Sequence, residues 1–213
     1  MLVIAPHADD EVLGCGGAIQ HYRALGHPVS ILIVSNRVLN HRPDPAYIAE
    51  TKRSAHAAAS LLGADQVFFG ELPDEQLDAK LIDVIVPIER VVDSVKPHVV
   101  FVPSTEDTDQ DHRAVAWACE VACRGVDTVF VYEVPGPSRG FQPNYYLDVS
   151  RYLDRKLEAM NAYRGEWRPY PHPRSPEGLR IHAQARGLEA QLHAAEAYRL
   201  IRHIQRGEGA GTP

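Results

Sequence analysis

The chain has 213 residues, of which 45% are hydrophobic and 23% are charged. This length suits one large domain, and the composition excludes the disordered and fibrous classes of protein. The 28 acidic and 22 basic side chains leave a formal net charge of −6, which gives no electrostatic reason to expect a nucleic acid or an anionic membrane as a partner.

The cysteine pattern and the N-terminus favour a cytoplasmic protein. The three cysteines include no Cys-x-x-Cys pair, so the sequence predicts neither a disulfide framework nor a thiolate zinc knuckle. The apolar run over residues 1–5 is too short for a signal peptide, and no stretch reaches the ~20 apolar residues of a membrane span. The eleven histidines suggest that any metal site uses nitrogen and oxygen ligands.

Short apolar runs recur at intervals along the chain and predict strands. They are Leu2–Ala5, Val29–Ser35, Val67–Phe69, Val99–Val102 and Val129–Tyr132. Because each run is apolar at nearly every position, we expect these strands to be buried on both faces. Such strands are typical of a parallel sheet that helices cover on both sides.

Helical patterns separate the predicted strands. They cover Ala18–Leu25, Tyr47–Leu62, Leu81–Val95 and His112–Cys123. The first two patterns stop at Gly26 and Gly63, and the third stops before Pro97. This alternation predicts an α/β fold with a Rossmann-like, doubly wound, mostly parallel sheet and helices on both faces. Folds of this class bind ligands outside the carboxyl ends of their strands.

The pattern changes after Pro135. Tyr145–Val149 is predicted as a strand and Arg151–Tyr163 as a helix, and four prolines between residues 168 and 176 predict a rigid irregular segment. A C-terminal helical extension is expected from Glu177 to Arg206, with a potential break at Gly187. On this interpretation residues 1–206 form one domain, and residues 207–213, with Pro213 last, form a disordered tail.

A first group of polar residues follows the first predicted strand. The chain reads Pro6-His7-Ala8-Asp9-Asp10-Glu11 and then Gly14-Cys15-Gly16-Gly17. Zn²⁺ accepts imidazole and carboxylate ligands, and His7 and Asp10 supply one of each. Two alternatives remain at this point. A helix N-terminus favours acidic residues without a metal, and a dinucleotide-binding turn also contains glycines, although Ile19 stands at the third glycine position.

A second group occupies the matching position after the fourth predicted strand. The loop over residues 103–115 contains Asp109, Asp111 and His112. Because such loops converge at one edge of a parallel sheet, His112 is positioned to complete a His/Asp/His zinc set with His7 and Asp10. Asp111 is the natural group to hold an imidazole in orientation. Taken alone, His112 is more typical of a surface histidine at a helix start than of a metal ligand.

These two motifs together resemble a known family. Pro-His-Ala-Asp-Asp-Glu with Gly-Cys-Gly-Gly, and Asp-x-Asp-His-Arg-Ala-Val after the fourth strand, are similar to the PIG-L/LmbE-like zinc-dependent de-N-acetylase superfamily, in its bacterial branch. Weaker similarity extends over Glu71–Asp74 and from Arg174 to Ala197. The resemblance implies a hydrolase that removes an N-acetyl group from an amino sugar or glycoconjugate and gives a free amine and acetate.

The resemblance also implies roles for individual residues. His7, Asp10 and His112 would bind the metal, which is Zn²⁺ or another divalent ion. Asp9 would be the general base that takes a proton from water, whose pKa zinc lowers to about 7, and returns it to the amine, with Asp111 beside it in the catalytic group. Five further side chains are expected to face the substrate, a small amino-sugar conjugate: Arg37, Asp74, Asp109, His172 and Arg174.

One departure from the family pattern leaves alternatives open. Many members have a histidine three residues before the last ligand, as the oxyanion donor, where this chain has Asp109. An ionised carboxylate cannot donate a hydrogen bond, so either Asp109 is protonated or Arg37, Arg113 or His172 donates. The alternatives for function are hydrolysis of another amide, as by a thiol-conjugate amidase or an antibiotic-pathway deacylase, and an inactive metal-retaining glycan binder. The sequence is also compatible with a homo-oligomer.

Overall fold

The computed structural model describes residues 1–38, 41–136, 138 and 140–205. The predicted disordered tail, residues 207–213, lies outside the described residues, and so does Arg206, the predicted end of the last helix. Among the described residues, none of the helices combines the length and the apolar character that crossing a membrane requires.

The predicted alternation of strands and helices is confirmed as far as the fifth strand. The elements in chain order are β1 Leu2–Ala5, α1 Asp10–Ala24, β2 Ser30–Asn36, α2 Pro45–Leu62, β3 Gln66–Pro73, α3 Leu81–Val95, β4 Val99–Val102, α4 Gln110–Ala122 and β5 Thr128–Tyr132. Helix α1 begins earlier than predicted because Asp10 and Glu11 form its first turn. Helix α2 ends, as predicted, at Gly63, which adopts φ 84°.

Seven strands form one sheet in the order β3-β2-β1-β4-β5-β7-β6. Its last two strands, β6 Tyr145–Asp148 and β7 Ala195–His203, pair antiparallel with each other, and β7 also pairs antiparallel with β5. The other five strands are parallel, and Leu2 of β1 lies between Ser30 of β2 and Val100 of β4. The chain order reverses between β1 and β4, so the loops after these strands flank the crevice where doubly wound folds bind ligands.

Helices cover both faces of the sheet, as the fold class requires. On β1, Val3 and Ala5 pack in a core cluster with residues of α1 and α2, together with α5 Leu153–Met160 and α6 Pro176–Glu189. Leu2 and Ile4 face the opposite way and pack in a second cluster with residues of α3 and α4. The predicted α/β class with a mostly parallel sheet is therefore confirmed.

The C-terminal helical extension is wrong in its second half. In the structure the helix ends at Glu189 and does not continue to Arg206. The chain then returns as β7, which lies between β5 and β6. The prediction assumed that the helically spaced leucines face the core. Leu188, one of them, is 79% exposed and does not belong to the core. Gly187 does not break the helix. A Cβ atom there would lie 2.6 Å from the carbonyl oxygen of Leu192, so the glycine lets the returning chain pass close to α6.

Long-range polar contacts fix α1, whose first turn belongs to the first polar group. The carboxylate of Glu196 on β7 accepts hydrogen bonds from the backbone amides of Gly17 at 2.7 Å and Ala18 at 2.8 Å. Lys156 on α5 donates to Glu196 Oε1 at 2.6 Å and to the carbonyl oxygen of Leu13 at 2.8 Å. Side chains from two distant elements therefore bond directly to the backbone of this helix.

The glycine-rich part of α1 makes these contacts possible. A Cβ atom at Gly14 would lie 2.3 Å from the ring of Tyr132, and one at Gly17 would lie 2.3 Å from the side chain of Val149. The glycines thus permit close packing of α1 against β5 and against the residue that follows β6. They do not form a dinucleotide-binding turn, because they lie inside the helix and not before it.

Candidate active site

The first motif forms a buried turn at the carboxyl end of β1. His7, Asp9 and Asp10 are each at most 3% exposed, and the backbone amide of His7 donates to Asp10 Oδ2 at 3.0 Å. Asp9 has φ 117°, a conformation that costs a non-glycine residue conformational energy and occurs preferentially at functional sites. The backbone amide of Asp9 donates to Glu11 Oε2 at 3.0 Å, which stabilises this turn.

Three side-chain atoms from the two motifs meet at the crevice. His7 Nδ1 lies 3.2 Å from His112 Nε2, His112 Nε2 lies 3.1 Å from Asp10 Oδ2, and His7 Nδ1 lies 3.5 Å from Asp10 Oδ2. Tetrahedral ligands at about 2.0–2.1 Å from a zinc ion are roughly 3.3 Å apart. The three separations fit one metal ion, and the His/Asp/His donor set is suited to a divalent cation.

Two further observations support a cation at this point. Asp10 Oδ1 is buried and has no hydrogen-bond partner in the described part of the chain. Asp109 also brings a carboxylate oxygen within 4.8 Å of a nitrogen atom of His7 and of His112. A buried carboxylate oxygen without a donor is costly, and a bound cation would remove that cost.

The other nitrogen of His7 faces two carboxylates. His7 Nε2 lies 2.7 Å from Asp74 Oδ1 and 3.3 Å from Asp111 Oδ2, and these three residues also form a group whose atoms lie within 4.8 Å of one another. The 2.7 Å contact is a hydrogen-bond distance and is shorter than the roughly 3.3 Å between tetrahedral zinc ligands. Because carboxylates only accept, Nε2 carries a proton. Nδ1 is then directed to His112 and Asp10.

Asp74 and Asp111 therefore lie behind His7 and orient it. Asp111 also accepts from the backbone amides of Glu75 at 2.6 Å and Leu77 at 3.1 Å. Burial would raise the pKa of Asp74, but its contact with His7 and the charge of Arg37 outweigh burial and lower the pKa to about 2. Asp74 was expected to face the substrate, yet its carboxylate is engaged inside the protein.

His112 lies in the first turn of α4 and is oriented in the same way. Its Nδ1 atom lies 2.9 Å from Asp107 Oδ2, so Nε2 is directed to His7 and Asp10. Asp109 is the N-cap of α4, since its Oδ1 accepts from the backbone amide of Asp111 at 2.8 Å. The sequence prediction missed Asp107, although an acidic residue in the same loop was a usable signal.

The buried charges favour positive charge between the two imidazoles. Burial would lower the pKa of His112, but Asp10 and Asp107 outweigh it and raise the pKa to about 9. Burial would raise the pKa of Asp10, but His112 and His7 hold it well below its usual range. A divalent cation between these residues would satisfy the same carboxylates that favour protons on the imidazoles.

Asp9 lies beside this centre, between two arginines. Its Oδ1 accepts from Arg37 Nη2 at 3.2 Å and its Oδ2 from Arg174 Nη1 at 3.1 Å. Glu166 Oε2 lies 3.7 Å from Arg37 and 3.8 Å from Arg174. Burial raises the pKa of Asp9 to about 6, although both arginines oppose the increase. A carboxyl group that titrates near neutral pH is suited to general-base catalysis.

A cleft of about 250 Å³ opens beside His112. Asp109, His172 and Arg174 line it, so the structure places three of the five expected substrate residues around one cavity. Arg37 lies behind Asp9, with 14% of its side chain exposed. Arg113, a suggested oxyanion donor, donates from Nη1 to the carbonyl oxygens of residues 107 and 108.

Two more residues at the site had no sequence signal. Glu166 closes the 3-10 helix Asn161–Glu166 and lines the cleft. Tyr163 of the same helix donates to Glu11 Oε1 at 2.5 Å. Both residues reach the site because this segment packs beside α2, which is a long-range contact that no local pattern reports.

The chain is similar to a known family and to known proteins. The sequence model of the PIG-L family, described as GlcNAc-PI de-N-acetylase, matches residues 2–123, a range that covers β1 to β4 and α1 to α4. An uncharacterized deacetylase, YaiS, from Escherichia coli (strain K12) is 27% identical over 170 residues, which cover 77% of this chain and 90% of the relative.

Solved structures with the same fold include two proteins of different activity. The N,N'-diacetylchitobiose deacetylase from Pyrococcus horikoshii has a TM-score of 0.81 at 20% identity, over 97% of this chain and 86% of that chain. GalB, the 4-carboxy-2-hydroxymuconate hydratase from Pseudomonas putida KT2440, has a TM-score of 0.81 at 21% identity, over 98% of each chain. At these identities the likeness shows the fold, which a deacetylase and a hydratase share.

Proposed function

The chain belongs to the PIG-L family, and from that premise we propose that it is a zinc-dependent deacetylase acting on an N-acetylated amino sugar or glycoconjugate. The products are a free amine and acetate. One observation carries the proposal: His7 Nδ1, Asp10 Oδ2 and His112 Nε2 lie 3.1 to 3.5 Å apart, with Asp9 directly before Asp10 in the sequence. We treat residues 1–206 as one deacetylase domain that acts in the cytoplasm.

His7, Asp10 and His112 would hold the metal. The bound ion supplies Lewis acidity and favours the ionisation of water near neutral pH. Asp111 and Asp74 contact the imidazole of His7, and Asp107 contacts the imidazole of His112. These carboxylates keep the two ligand nitrogens directed at one point. Zn²⁺ suits this donor set, and other divalent ions are compatible with it.

Asp9 acts as the general base in this proposal. It takes a proton from the attacking water and returns it to the nitrogen of the departing amine. Arg37 and Arg174 each bind one of its oxygens, so the carboxylate is held in a fixed orientation. Arg174 itself lines the cleft, so this restraint holds the proton acceptor directly behind the cleft wall, next to where the amide would lie.

Arg174 is the best-placed donor for the oxyanion. Its guanidinium lines the cleft and reaches Asp9 at 3.1 Å, whereas Arg113 is engaged with backbone carbonyls. Asp109 supports the start of α4 as its N-cap, which explains a carboxylate at this position without a catalytic role. His172 lines the same cleft and is assigned to the substrate, with Asp109 beside it.

A second candidate is hydrolysis of a different amide. It is favoured by Asp109, which stands where many members of the family have a histidine donor. A site with a different donor near the carbonyl oxygen is adapted to a different acyl group or amine. An inactive glycan binder is the third possibility, and it would bind both metal and sugar without turnover.

Acetate release tests the proposal. The purified protein with Zn²⁺ is incubated with N-acetylglucosamine, N,N'-diacetylchitobiose and a panel of unrelated amides, and Asp9→Asn serves as the inactive control. We expect acetate from the amino sugars and none from the control. Release only from other amides would support the second candidate, and sugar binding without release from any substrate would support the binder.

A further inference from the structure

An apolar cavity outside the proposed active site lies between α4 and β7. Its volume is about 270 Å³, and its lining differs from that of the cleft beside His112. Its lining includes Val129 and Val131 of β5 and Ala116 and Cys119 of α4. These four residues are each at most 5% exposed, so the inner surface of the cavity is formed by buried apolar side chains.

The cavity lies where the helical cover of the sheet ends. On one face of the sheet, Tyr198 of β7 packs in the core cluster that contains residues of four helices. On the opposite face, the core cluster contains residues of α3 and α4 but none of the described residues of β6 and β7. Ile201 of β7 is 53% exposed and lines the cavity. One face of β7 is therefore left without a helix against it.

Trp117 exposes a large apolar ring beside this cavity. It lies on α4 between Ala116 and Glu120, which both line the cavity. Trp117 is 46% exposed, and Val121, four residues further along the same side of the helix, is 41% exposed. With Ile201 on the far rim, these side chains form a continuous apolar patch. Patches of this kind commonly mark sites of protein–protein contact.

The cavity has room for an indole ring. A dry apolar cavity of ~150 Å³ already binds benzene, whereas small-molecule sites are typically about 300–1,000 Å³. The volume of about 270 Å³ therefore fits one large aromatic side chain better than a separate ligand. Trp117 does not line the cavity of its own chain, so a ring of this size would come from another molecule.

The surface is complementary to itself, because the exposed ring and the cavity lie side by side on one face. In a two-fold symmetric dimer, the same patch of both copies is in contact. Each copy can then place its Trp117 ring in the cavity of the other. Tryptophan side chains that fill pockets of a partner often dominate the binding energy of an interface. One chain thus carries both halves of the contact.

The charges on the rim are also complementary across a two-fold axis. Glu120 is exposed and has no basic group within 4 Å in the described part of the chain. Arg202 donates to the carbonyl oxygens of Cys123 at 3.0 Å and Arg124 at 2.7 Å, and none of the described carboxylates lies within 4 Å of it. Both side chains line the cavity. When two such rims face each other, the acid of one copy meets the base of the other.

We propose that the face formed by α4 and β7 joins two copies of this chain in a two-fold dimer, with Trp117 of each copy in the cavity of its partner. Glu120 pairs with the partner's Arg202 at the rim. The inference concerns a surface that is separate from the cleft, and it does not depend on the deacetylase function proposed above.

Sedimentation velocity over a series of protein concentrations tests the dimer. We expect the wild type to pass from monomer to dimer within the micromolar range. Trp117→Ala should raise the dissociation constant at least about 30-fold, the factor that corresponds to ~2 kcal/mol for the loss of an interface hot spot. Leu188→Ala is the control, because Leu188 is 79% exposed on α6, which packs on the opposite face of the sheet. This control should associate as the wild type does.

Charge reversal tests the contact at the rim. Glu120→Lys places an ammonium group against the partner's Arg202, so we expect the dissociation constant to rise at least about tenfold, because like charges in contact oppose association. A lysine near the C-terminal end of α4 suits the helix dipole, so the monomer should stay folded. Glu158→Lys makes the same change at an exposed position of α5 and should leave association unchanged.

Fluorescence reports whether the Trp117 ring enters an apolar cavity. The chain has two tryptophans, so Trp167→Phe leaves Trp117 as the remaining one. Its emission should shift to shorter wavelength as the protein concentration is raised through the dissociation constant, because the ring leaves water. Quenching by iodide should decrease over the same range.

Four results would each overturn the proposal. They are a monomer at every concentration, a dimer that Trp117→Ala does not weaken, an equal weakening by Leu188→Ala, and association without a shift in the emission of Trp117. None of these measurements uses acetate release, so their outcome is independent of the outcome for the proposed deacetylase function.

Discussion

Two of the segments that build the site differ in burial. Every residue of 6–20, which contains the first motif and most of α1, is buried. Segment 161–175 is mostly exposed or half-buried, with Tyr163 and Ser175 as its buried positions. The first segment supplies the proposed base and two of the proposed metal ligands, and the second supplies Glu166, His172 and Arg174. The difference in burial fits the proposed division of roles, in which a buried segment holds the chemistry and an exposed one contacts the substrate.

The two segments are also held in place differently. The backbone of α1 receives the carboxylate of Glu196 at 2.7 and 2.8 Å and the ammonium of Lys156 at 2.8 Å, all buried. Segment 161–175 ends at Ser175, whose hydroxyl caps α6 by accepting from the amide of Gly178 at 2.9 Å. Changes in the buried segment should therefore affect turnover of every substrate, whereas changes in the exposed segment should affect substrates selectively.

Loss of a proposed metal ligand should have the largest effect. In His112→Ala, one of three protein ligands is gone, so we expect most of the bound metal to be lost and turnover to fall to background for all substrates. Metal content by mass spectrometry and acetate release measure this. The exposed His98, changed to alanine, is the control. Full metal occupancy in His112→Ala would refute the ligand assignment.

Loss of the proposed base should be nearly as severe but should spare the metal. Asp9→Asn keeps the shape of the side chain and removes the proton acceptor, so we expect kcat to fall roughly 10²–10⁴-fold with unchanged metal content. The effect should be equal for mono- and disaccharide substrates. Wild-type turnover in this variant would remove Asp9 from the mechanism.

The contacts that anchor α1 should appear mainly in stability. Glu196→Gln leaves the buried ammonium of Lys156 without its carboxylate, and breaking a buried ion pair in this way typically costs about 3–5 kcal/mol. We expect this loss in the free energy of unfolding by urea denaturation. Glu158→Gln, on the exposed side of α5, should change stability by less than about 0.5 kcal/mol. Equal stability of the two variants would contradict the proposed anchoring.

The carboxylate behind His112 should have an intermediate effect. Asp107→Asn weakens the contact that orients the imidazole, and loss of such an outer partner typically reduces metal affinity about 10–100-fold. Competition with a chelator measures the affinity. Asp154→Asn, at an exposed ion pair with Arg180, is the matched control. An unchanged affinity in Asp107→Asn would mean that the His112 imidazole is oriented without it.

The smallest effect is expected in the exposed segment. His172 is exposed and lines the cleft, and its Nδ1 accepts from the backbone amide of Arg174 at 3.1 Å. His172→Ala therefore removes this exposed bond and at most one hydrogen bond to substrate, each worth ~0.5–1.5 kcal/mol. We expect KM to rise a few-fold, to a degree that differs among substrates, with kcat unchanged. A uniform fall in kcat for all substrates would place His172 in the chemistry and would break the distinction between the two segments.

The sequence predicted most of the fold because its signals are local. Apolar runs such as Leu2–Ala5 and glycine stops such as Gly63 depend on a few neighbouring residues, and both appear in the structure. The prediction failed where non-local pairing decides the outcome. Residues 195–203 form a strand because β5 and β6 flank them, although their apolar spacing also fits a helix.

The same limit applies to the site. The sequence indicated that His7, Asp10 and His112 would meet, because all three follow strands of a parallel sheet. It did not indicate that Asp74 lies against His7, since that contact depends on the loop after β3. Glu166 had no signal, because only the packing of a distant 3-10 helix brings it to the arginines that bind the carboxylate of Asp9.

Metal restoration tests the central claim most directly. The protein is stripped of metal with a chelator, Zn²⁺ is added in measured amounts, and acetate release from N,N'-diacetylchitobiose is followed. If His7, Asp10 and His112 form the catalytic metal centre, release is absent in the stripped protein and reaches its maximum at about one equivalent of metal. Undiminished release from the stripped protein would contradict the account.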